Sequence, residues 1–114
     1  MNEKFKEEDK NNLKPLSFTM TQKQFNKLKK LKKEAYCKSM YILRFAAYYI
    51  TNIDETEIKS YKDFDFNTSG GVPYKVDLPI DLYNKINEKS QVLGYSMSKL
   101  MRISLNDILN FMEE

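Results

Sequence analysis

The chain contains no histidine and no tryptophan, and it has one cysteine, three glycines and three prolines among its 114 residues. A single cysteine forms no internal disulfide, and a cysteine without histidine does not supply the ligands of a zinc site. The absence of histidine also removes serine–histidine and cysteine–histidine nucleophile pairs and the imidazole general base. These absences favour a binding protein over an enzyme, and we expect no catalytic residue, no metal and no cofactor.

Long apolar runs are missing as well. Charged residues make up 31% of the chain and are scattered along it, whereas a membrane span needs roughly 18 uncharged apolar residues in succession. The first residues, MNEKFKEEDKNN, lack the apolar segment of a secretory signal. We therefore expect a cytoplasmic protein with no membrane partner and with Cys37 as a free thiol in a reducing compartment.

Two runs of alternating apolar and polar residues predict two short strands, one over residues 16–21 and one over 74–79. Apolar residues at three- and four-residue spacing predict four helices, over about 22–36, 39–50, 82–94 and 97–111. Asp81 and Ser96 are the expected N-caps of the last two helices, and Gly94 is suited to a left-handed helix end. The sequence thus indicates a mainly helical protein with a small amount of strand.

The composition divides the chain into four segments. Residues 1–14 carry four lysines and four acids and are expected to form a flexible tail, because they offer little apolar surface to bury. Residues 15–50 form a first unit and residues 73–114 a second. Between them, residues 51–72 contain five acids and the turn-forming Ser69–Gly70–Gly71, so we interpret them as a linker with a helical turn near Asp54–Lys59.

The two units are related by an internal repeat. A shift of 58 residues superposes the first unit on the second without a gap and brings apolar positions together throughout, with the matches Pro15/Pro73, Phe18/Val76, Met20/Leu78, Phe25/Tyr83, Leu28/Ile86, Ile42/Leu100, Arg44/Arg102 and Ile50/Ile108. Partial register between helix pairs is easily obtained by accident, but a shared order of strand, helix and helix is not. We therefore interpret the chain as a tandem duplication.

The second unit resembles the ribbon-helix-helix family of DNA-binding proteins. Its sequence VDLPIDLYNKINEKSQVLGYSMSKLMRISLNDIL matches the family in a Leu-Pro strand end, a Gly-Tyr-Ser turn and a Leu-Met-Arg segment in the second helix. The first unit departs from the pattern in having Thr21 in place of Pro79, Tyr36 in place of Gly94 and Lys38 in place of Ser96. Ser39 is the neighbouring candidate for the missing cap.

The resemblance implies an architecture in which two strands form an antiparallel ribbon above four interlocking helices. Family members obtain the second strand by dimerisation, whereas here both units lie in one chain. The expected fold is therefore a tandem ribbon-helix-helix pseudodimer, whose single domain pairs residues near 16–21 with those near 74–79. Pairing of each unit with its counterpart in a second chain is the rival arrangement.

The strand pattern also predicts which residues face a DNA duplex. If the apolar set Leu16, Phe18, Met20, Tyr74, Val76 and Leu78 covers the core, the outer face carries Ser17, Thr19, Lys75 and Asp77, which correspond to the base-reading positions of the family. Lysine donates to guanine, hydroxyls donate or accept, and a carboxylate accepts from cytosine. Asp77 either pairs with Lys75 or discriminates against wrong bases. A merely solvated ribbon face shows the same alternation.

The start of each second helix is the expected phosphate-binding position, because backbone N–H groups there are unpaired and lie at the positive end of the helix dipole. The resemblance places these positions at Lys38, Ser39 and Met40 in the first unit and at Ser96, Met97 and Ser98 in the second. Such contacts fix the position of the protein on DNA without reading sequence.

Charge separates unevenly between the units. Residues 15–50 have eight basic residues and one acid, a net charge of +7, whereas residues 73–114 have a net charge of −1. The lysines of the first predicted helix make up most of the excess, and a lysine-rich helix face is usually a solvated face. We therefore expect the positive field to be strongest over the first unit.

The predicted function is sequence-specific binding of double-stranded DNA in the major groove without catalysis. The protein would act as a transcriptional repressor or as an accessory factor at the origin or transfer site of a plasmid or other mobile element. Further copies on adjacent DNA sites and a protein partner bound by the N-terminal tail are expected partners. The alternatives are a helical protein-interaction module and an antitoxin-like protein that binds a partner.

Overall fold

A computed structural model describes residues 13–35, 38–61 and 68–113 of the chain. Within these ranges the elements follow one another as β1 (Leu13–Met20), α1 (Gln22–Ala35), α2 (Ser39–Asn52), α3 (Glu55–Lys59), β2 (Val72–Pro79), α4 (Ile80–Leu93) and α5 (Met97–Glu113). The predicted class, mainly helical with a two-stranded antiparallel sheet, is confirmed. Most of the predicted tail (1–12), the turn residues Tyr36 and Cys37, and linker residues 62–67 lie outside the described residues.

The two strands pair antiparallel within the one chain, with Ser17 opposite Lys75, Leu16 opposite Val76 and Phe18 opposite Tyr74. Successive side chains of a strand point to opposite faces, and the inner face is buried at Leu16, Phe18, Met20, Val76 and Leu78. Tyr74, which the alternation assigns to the same face, is only half-buried. The predicted strands and their pairing are confirmed.

The first strand begins earlier than the alternation suggests. Leu13 and Lys14, which the composition assigns to the tail, belong to β1 and lie opposite Pro79 and Leu78. The Lys14 ammonium also lies 4.4 Å from the centre of the Tyr83 ring, a favourable cation–π contact. The predicted boundary at residue 14 is wrong because partners from the second unit, far away in sequence, extend the strand.

A capping box starts α1. Thr21 Oγ1 accepts a hydrogen bond from the backbone N–H of Gln24 at 3.0 Å, and Gln24 Oε1 accepts one from the N–H of Thr21 at 3.1 Å. The two side chains thereby satisfy backbone donors that the first helical turn leaves without partners. Thr21 and its repeat equivalent Pro79 both precede a helix directly, so the departure from the family pattern leaves the position of the helix start unchanged.

The other helix starts partly correct the predicted caps. Ser96 caps α5, since its Oγ accepts from Lys99 N at 3.0 Å, and Gly94 ends α4 with a φ of +73°. Asp81 does not cap α4, because the helix begins one residue earlier, at Ile80, and the N-cap position falls on Pro79. Ser39 does not cap α2 either, because it is the first helical residue and the N-cap position falls on Lys38.

The described part of the linker contains the expected helical turn. Asp54 accepts a hydrogen bond from Thr56 N at 3.1 Å and caps the five-residue helix α3. Before β2, a Cβ added at Gly71 would lie 2.5 Å from the carbonyl oxygen of Met20 and 2.8 Å from that of Thr68. Glycine is required at position 71 because the chain passes directly against the end of β1.

One continuous apolar cluster joins the two units. It includes β1 and β2 from above, α2 and α5 in the centre, and Ile58 of α3, which is completely buried. Helix α5 of the second unit contacts β1 of the first, and α2 of the first unit contacts β2 of the second. In the described ranges, no helix is long and apolar enough to cross a membrane.

Two arginine hydrogen bonds tie each unit to the strand of the other. Arg44 Nε donates to the carbonyl of Asp77 at 3.0 Å, and Arg102 Nη1 donates to the carbonyl of Thr19 at 3.1 Å. The arginines are 58 residues apart, and so are the two acceptors. Each bond is therefore the repeat equivalent of the other.

Two further hydrogen bonds join residues to their own repeat equivalents. Ser104 Oγ donates to the carbonyl of Ala46, and Tyr49 Oη donates to Asp107 Oδ2 at 3.2 Å; each pair is 58 positions apart. The central ribbon pair, Ser17 and Lys75, has the same separation. Contacts of this kind arise on the axis between two units related by a twofold rotation.

Asp107 also accepts a hydrogen bond from Tyr61 Oη at 2.6 Å, which makes folding stability depend on pH. Burial, assisted by this hydrogen bond, raises the pKa of Tyr61 to about 12, whereas tyrosine in an unfolded chain ionises near pH 10. Between about pH 10 and 12 the unfolded chain loses a proton that the folded chain keeps, so stability falls as the pH rises. We expect a loss of about 1 kcal/mol, because solvent screens the partly exposed hydroxyl.

Urea unfolding at several pH values between 8.5 and 11.5, followed by far-ultraviolet circular dichroism, measures this loss. Tyr61→Phe keeps the ring and removes the hydroxyl, so its stability should fall less steeply over the same range. Identical slopes for the two proteins would show that Tyr61 does not contribute.

Candidate nucleic-acid interface

The outer face of the ribbon brings together all four predicted base-reading residues. Ser17 and Lys75 are exposed and form the central pair, while Thr19 and Asp77 are half-buried and lie diagonally across from each other. Within the described residues, none of the four side chains forms a hydrogen bond or an ion pair. Their donors and acceptors therefore remain available to a ligand that covers this face.

A proline flanks the central pair on each strand. Pro15 lies opposite Asp77, Pro73 lies opposite Thr19, and both prolines are exposed. Proline lacks a backbone N–H, so it weakens the edge of a strand as a template for another strand. The repeat alignment already superposes these prolines, but the alternation of the first strand was considered only from Leu16 onwards, so their place on the outer face was missed.

The expected pairing of Asp77 with Lys75 is absent from the described residues: no hydrogen bond or ion pair joins the two side chains. The backbone of Asp77 is held instead, through the bond that its carbonyl accepts from Arg44 Nε. The carboxylate thus lies beside Lys75 without neutralising it, which suits selection between bases that differ in their donors and acceptors.

The start of α5 adjoins this face. A shallow depression of about 350 Å³ is lined by Ser98 together with ribbon residues Ser17, Phe18, Thr19, Pro73, Tyr74 and Lys75. Met97 and Ser98 are the first two residues of α5, so their backbone N–H groups have no acceptor within the helix. The structure thus places part of the predicted phosphate-binding set next to the predicted base-reading set.

The corresponding start of α2 does not share this arrangement. Lys38, Ser39 and Met40 are not among the residues that line the depression. Lys38 occupies the N-cap position in an extended conformation (φ −68°, ψ 138°), without a side-chain cap bond, and Met40 is exposed. The first unit therefore presents its helix start without the serine cap of the second unit.

Arg44 and Arg102 belong to the site, although the sequence analysis assigned them no role. Their guanidinium groups hold the carbonyls of Asp77 and Thr19, the two half-buried residues of the outer face. Burial lowers the pKa of the Arg102 guanidinium below its usual value, and its Nε forms no hydrogen bond with the described residues. A signal was present, because these are the only two arginines of the chain and they coincide in the repeat.

The lysines of α1 form a solvated basic surface. Five of the six are exposed: Lys23, Lys29, Lys30, Lys32 and Lys33. Lys27 is half-buried and donates to Asn110 Oδ1 at 3.0 Å. The charge of the first unit is thus presented on a helix face beside the core, in keeping with the predicted uneven field.

Replacing Ser96 by alanine tests the start of α5. We expect a loss of about 1 kcal/mol of folding stability, because Lys99 N loses its cap, and DNA binding that weakens equally for all duplex sequences. Thermal unfolding and fluorescence anisotropy with specific and random duplexes measure the two effects. Ser39→Ala is the matched control, since Ser39 provides no cap. Loss of affinity for the specific duplex alone would contradict a phosphate-binding role.

No protein-family model, curated protein or solved structure matches this chain. The ribbon-helix-helix resemblance is therefore supported by the residues quoted for it and by the contacts described above.

Proposed function

We propose that this protein binds double-stranded DNA in a sequence-specific manner by inserting the β1–β2 ribbon into the major groove. In this proposal the chain is a tandem ribbon-helix-helix pseudodimer, whose two units supply one strand each. Ser17, Thr19, Lys75 and Asp77 read base edges, and the backbone N–H groups at the start of α5 bind a phosphate. The protein carries out no catalysis and needs no cofactor.

The observation that carries the proposal is the twofold pattern of contacts between the repeats. Ser17 faces its own equivalent Lys75, and the arginine bonds to Asp77 and Thr19 exchange under the same offset of 58. Two strands that meet in this way present one outer face around a central axis. This is the geometry with which a ribbon enters the major groove, where the donor and acceptor pattern of each base pair is distinct.

The chemistry of the outer face supports the same function. The inner side chains are buried, whereas Ser17 and Lys75 are exposed and the side chains of the whole reading set have no partners within the described residues. Neighbouring strands lie about 4.8 Å apart, so a two-stranded ribbon with its side chains fits a groove about 12 Å wide. A helix start at the edge of the ribbon lies where a phosphate backbone passes.

Within this function the protein acts in the cytoplasm as a repressor, or as an accessory factor at an origin or transfer site of a mobile element. Footprinting on the DNA around its own gene identifies the target and tests the proposal. Protection should be confined to a short site, and binding should weaken steeply with salt, because phosphate neutralisation releases counterions. Absence of duplex binding at low salt would exclude DNA binding altogether.

Sedimentation at high dilution tests the pseudodimer separately. A folded species of one chain is expected, because both strands of the ribbon come from the same chain. A two-chain species that unfolds on dissociation would favour pairing of each unit with its counterpart in a second chain.

A further inference from the structure

An apolar groove lies between α2 and α5, lined by residues other than the reading set. Its volume is about 730 Å³, and its walls include Tyr41, Phe45, Tyr49, Ile108, Phe111 and Met112, hereafter the α2–α5 groove. Phe45 and Phe111 are 61% and 80% exposed within the described part of the chain. Exposed apolar surface of this kind is characteristic of a binding site.

The repeat supplies a second copy of this face for comparison. The offset of 58 relates Phe45 to Ile103, and Phe111 to Ile53. Ile103 is completely buried and Ile53 is half-buried. One of the two equivalent faces is therefore covered, whereas the other is left open by the described residues.

The covered face is covered by the segment that follows α2. Lys89 Nζ donates to the carbonyl of Ile53 at 2.8 Å and fixes the start of this segment against α4. At its end, Tyr61 Oη donates to Asp107 of α5 at 2.6 Å, and Ile58 between them is completely buried. One aliphatic side chain and one tyrosine on a short capped helix thus occupy the face equivalent to the α2–α5 groove.

The charge around the groove complements a segment of this type. Asn110 lines the groove and accepts a hydrogen bond from Lys27 of the lysine-rich helix α1. The segment on the covered face begins with the acidic residues Asp54, Glu55 and Glu57 before the buried Ile58. An acidic helical turn placed in the groove would therefore lie next to a basic helix.

The geometry points to the α2–α5 groove as a docking site for a short amphipathic helical segment of a partner protein. The segment has acidic residues in its first turn, one aliphatic side chain that enters between Phe45 and Phe111, and an aromatic residue about one turn later. Asp54–Tyr61 of this chain has this chemistry and is the internal template for it. This inference goes beyond DNA binding, since the groove contains none of the proposed reading residues.

A peptide of residues 53–61, acetylated and amidated at its ends, is the probe for this site. We expect it to produce saturable chemical-shift changes at the methyl groups of Ile42 and Ile108, which line the groove, in the full-length chain. Titration to ~2 mM peptide is sufficient, because millimolar dissociation constants are measurable in this way. Ile86, buried on α4, should not respond.

Two variants of the protein and one of the peptide make the test specific. Phe45→Glu should weaken binding at least tenfold, and so should Ile58→Asp in the peptide. Val92→Glu introduces the same charge at an exposed position of α4 and should leave binding unchanged. Absence of shifts at the highest peptide concentration, or shifts that persist in Phe45→Glu, would overturn the proposal.

Two other occupants give different results, and each would also overturn it. If a second copy fills the groove, the Ile42 and Ile108 signals will depend on protein concentration without peptide, and Phe45→Glu will remove that dependence. If the N-terminal segment of the chain fills it, Phe5→Ala in the full-length protein will shift the same signals.

Discussion

Lys75→Ala is expected to lower the preference of the protein for its specific DNA site over random duplex by about tenfold or more. Lys75 is exposed at the centre of the ribbon, opposite Ser17. A lysine that donates to guanine in the major groove contributes about 1–3 kcal/mol of discrimination. Its removal should therefore reduce specific binding much more than the loss of one phosphate contact reduces non-specific binding. Competition anisotropy at fixed salt measures the ratio.

Lys85→Ala is the matched control for this substitution. Lys85 is exposed on α4 and does not belong to the ribbon, so the same charge is lost without loss of a reading residue. We expect its specificity ratio to stay within about twofold of the unchanged protein, because screening leaves little of a distant surface charge at physiological salt. Equal losses in the two variants would mean that Lys75 acts only through its charge.

Ser17→Ala and Thr19→Ala extend the test to the other strand. If the ribbon reads bases, at least one of the three substitutions must change the footprint or the base preference at a defined position. Unchanged discrimination at Ser17, Thr19 and Lys75 alike would exclude readout by the ribbon, even if the protein still bound DNA.

Local patterns in the sequence were sufficient to predict the elements and the pairing of the strands. The alternation from Leu16 to Met20 indicates one buried face because a strand repeats every two residues. Gly94 ends α4 as expected, because it is the residue that adopts the left-handed conformation most easily. These predictions succeeded because each depends on a few neighbouring residues and on one physical preference.

The errors occurred where distant residues decide the outcome. β1 includes Leu13 and Lys14 because Pro79 and Leu78 of the other unit lie opposite them. No local property of a charged tail reveals such a partner. The start of α4 was displaced by one residue because the N-cap position fell on Pro79, which provides no cap bond, although Asp81 is the better capping residue by type.

The candidate site was predictable only in part for the same reason. Alternation was enough to place Ser17, Thr19, Lys75 and Asp77 on one face. The arginine bonds to the strand carbonyls join residues 33 and 83 positions apart, so they required the packing of the two units. The depression beside Ser98 likewise depends on how α5 lies against the ribbon. The repeat was the one sequence feature that carried long-range information.

Leu100→Ala is expected to destabilise the whole protein by about 2–5 kcal/mol, because it leaves a cavity in a closely packed core. Leu100 is completely buried in the second unit, within the cluster that also contains Leu43 of the first. If the two units share one core, unfolding stays a single transition, and the amides of α2 lose as much protection against hydrogen exchange as those of α5. Chemical denaturation and native-state exchange measure both.

Val92→Ala is the control, since Val92 is an exposed aliphatic residue of the same unit and should change stability by no more than about 0.5 kcal/mol. The informative result is the behaviour of α2 in Leu100→Ala. If α2 amides kept their protection while those of α5 lost theirs, the units would fold independently, and a ribbon made of one strand from each would lack a common support. Coupled loss means that the first unit depends on the second for its stability, as a reading face shared between the two strands requires.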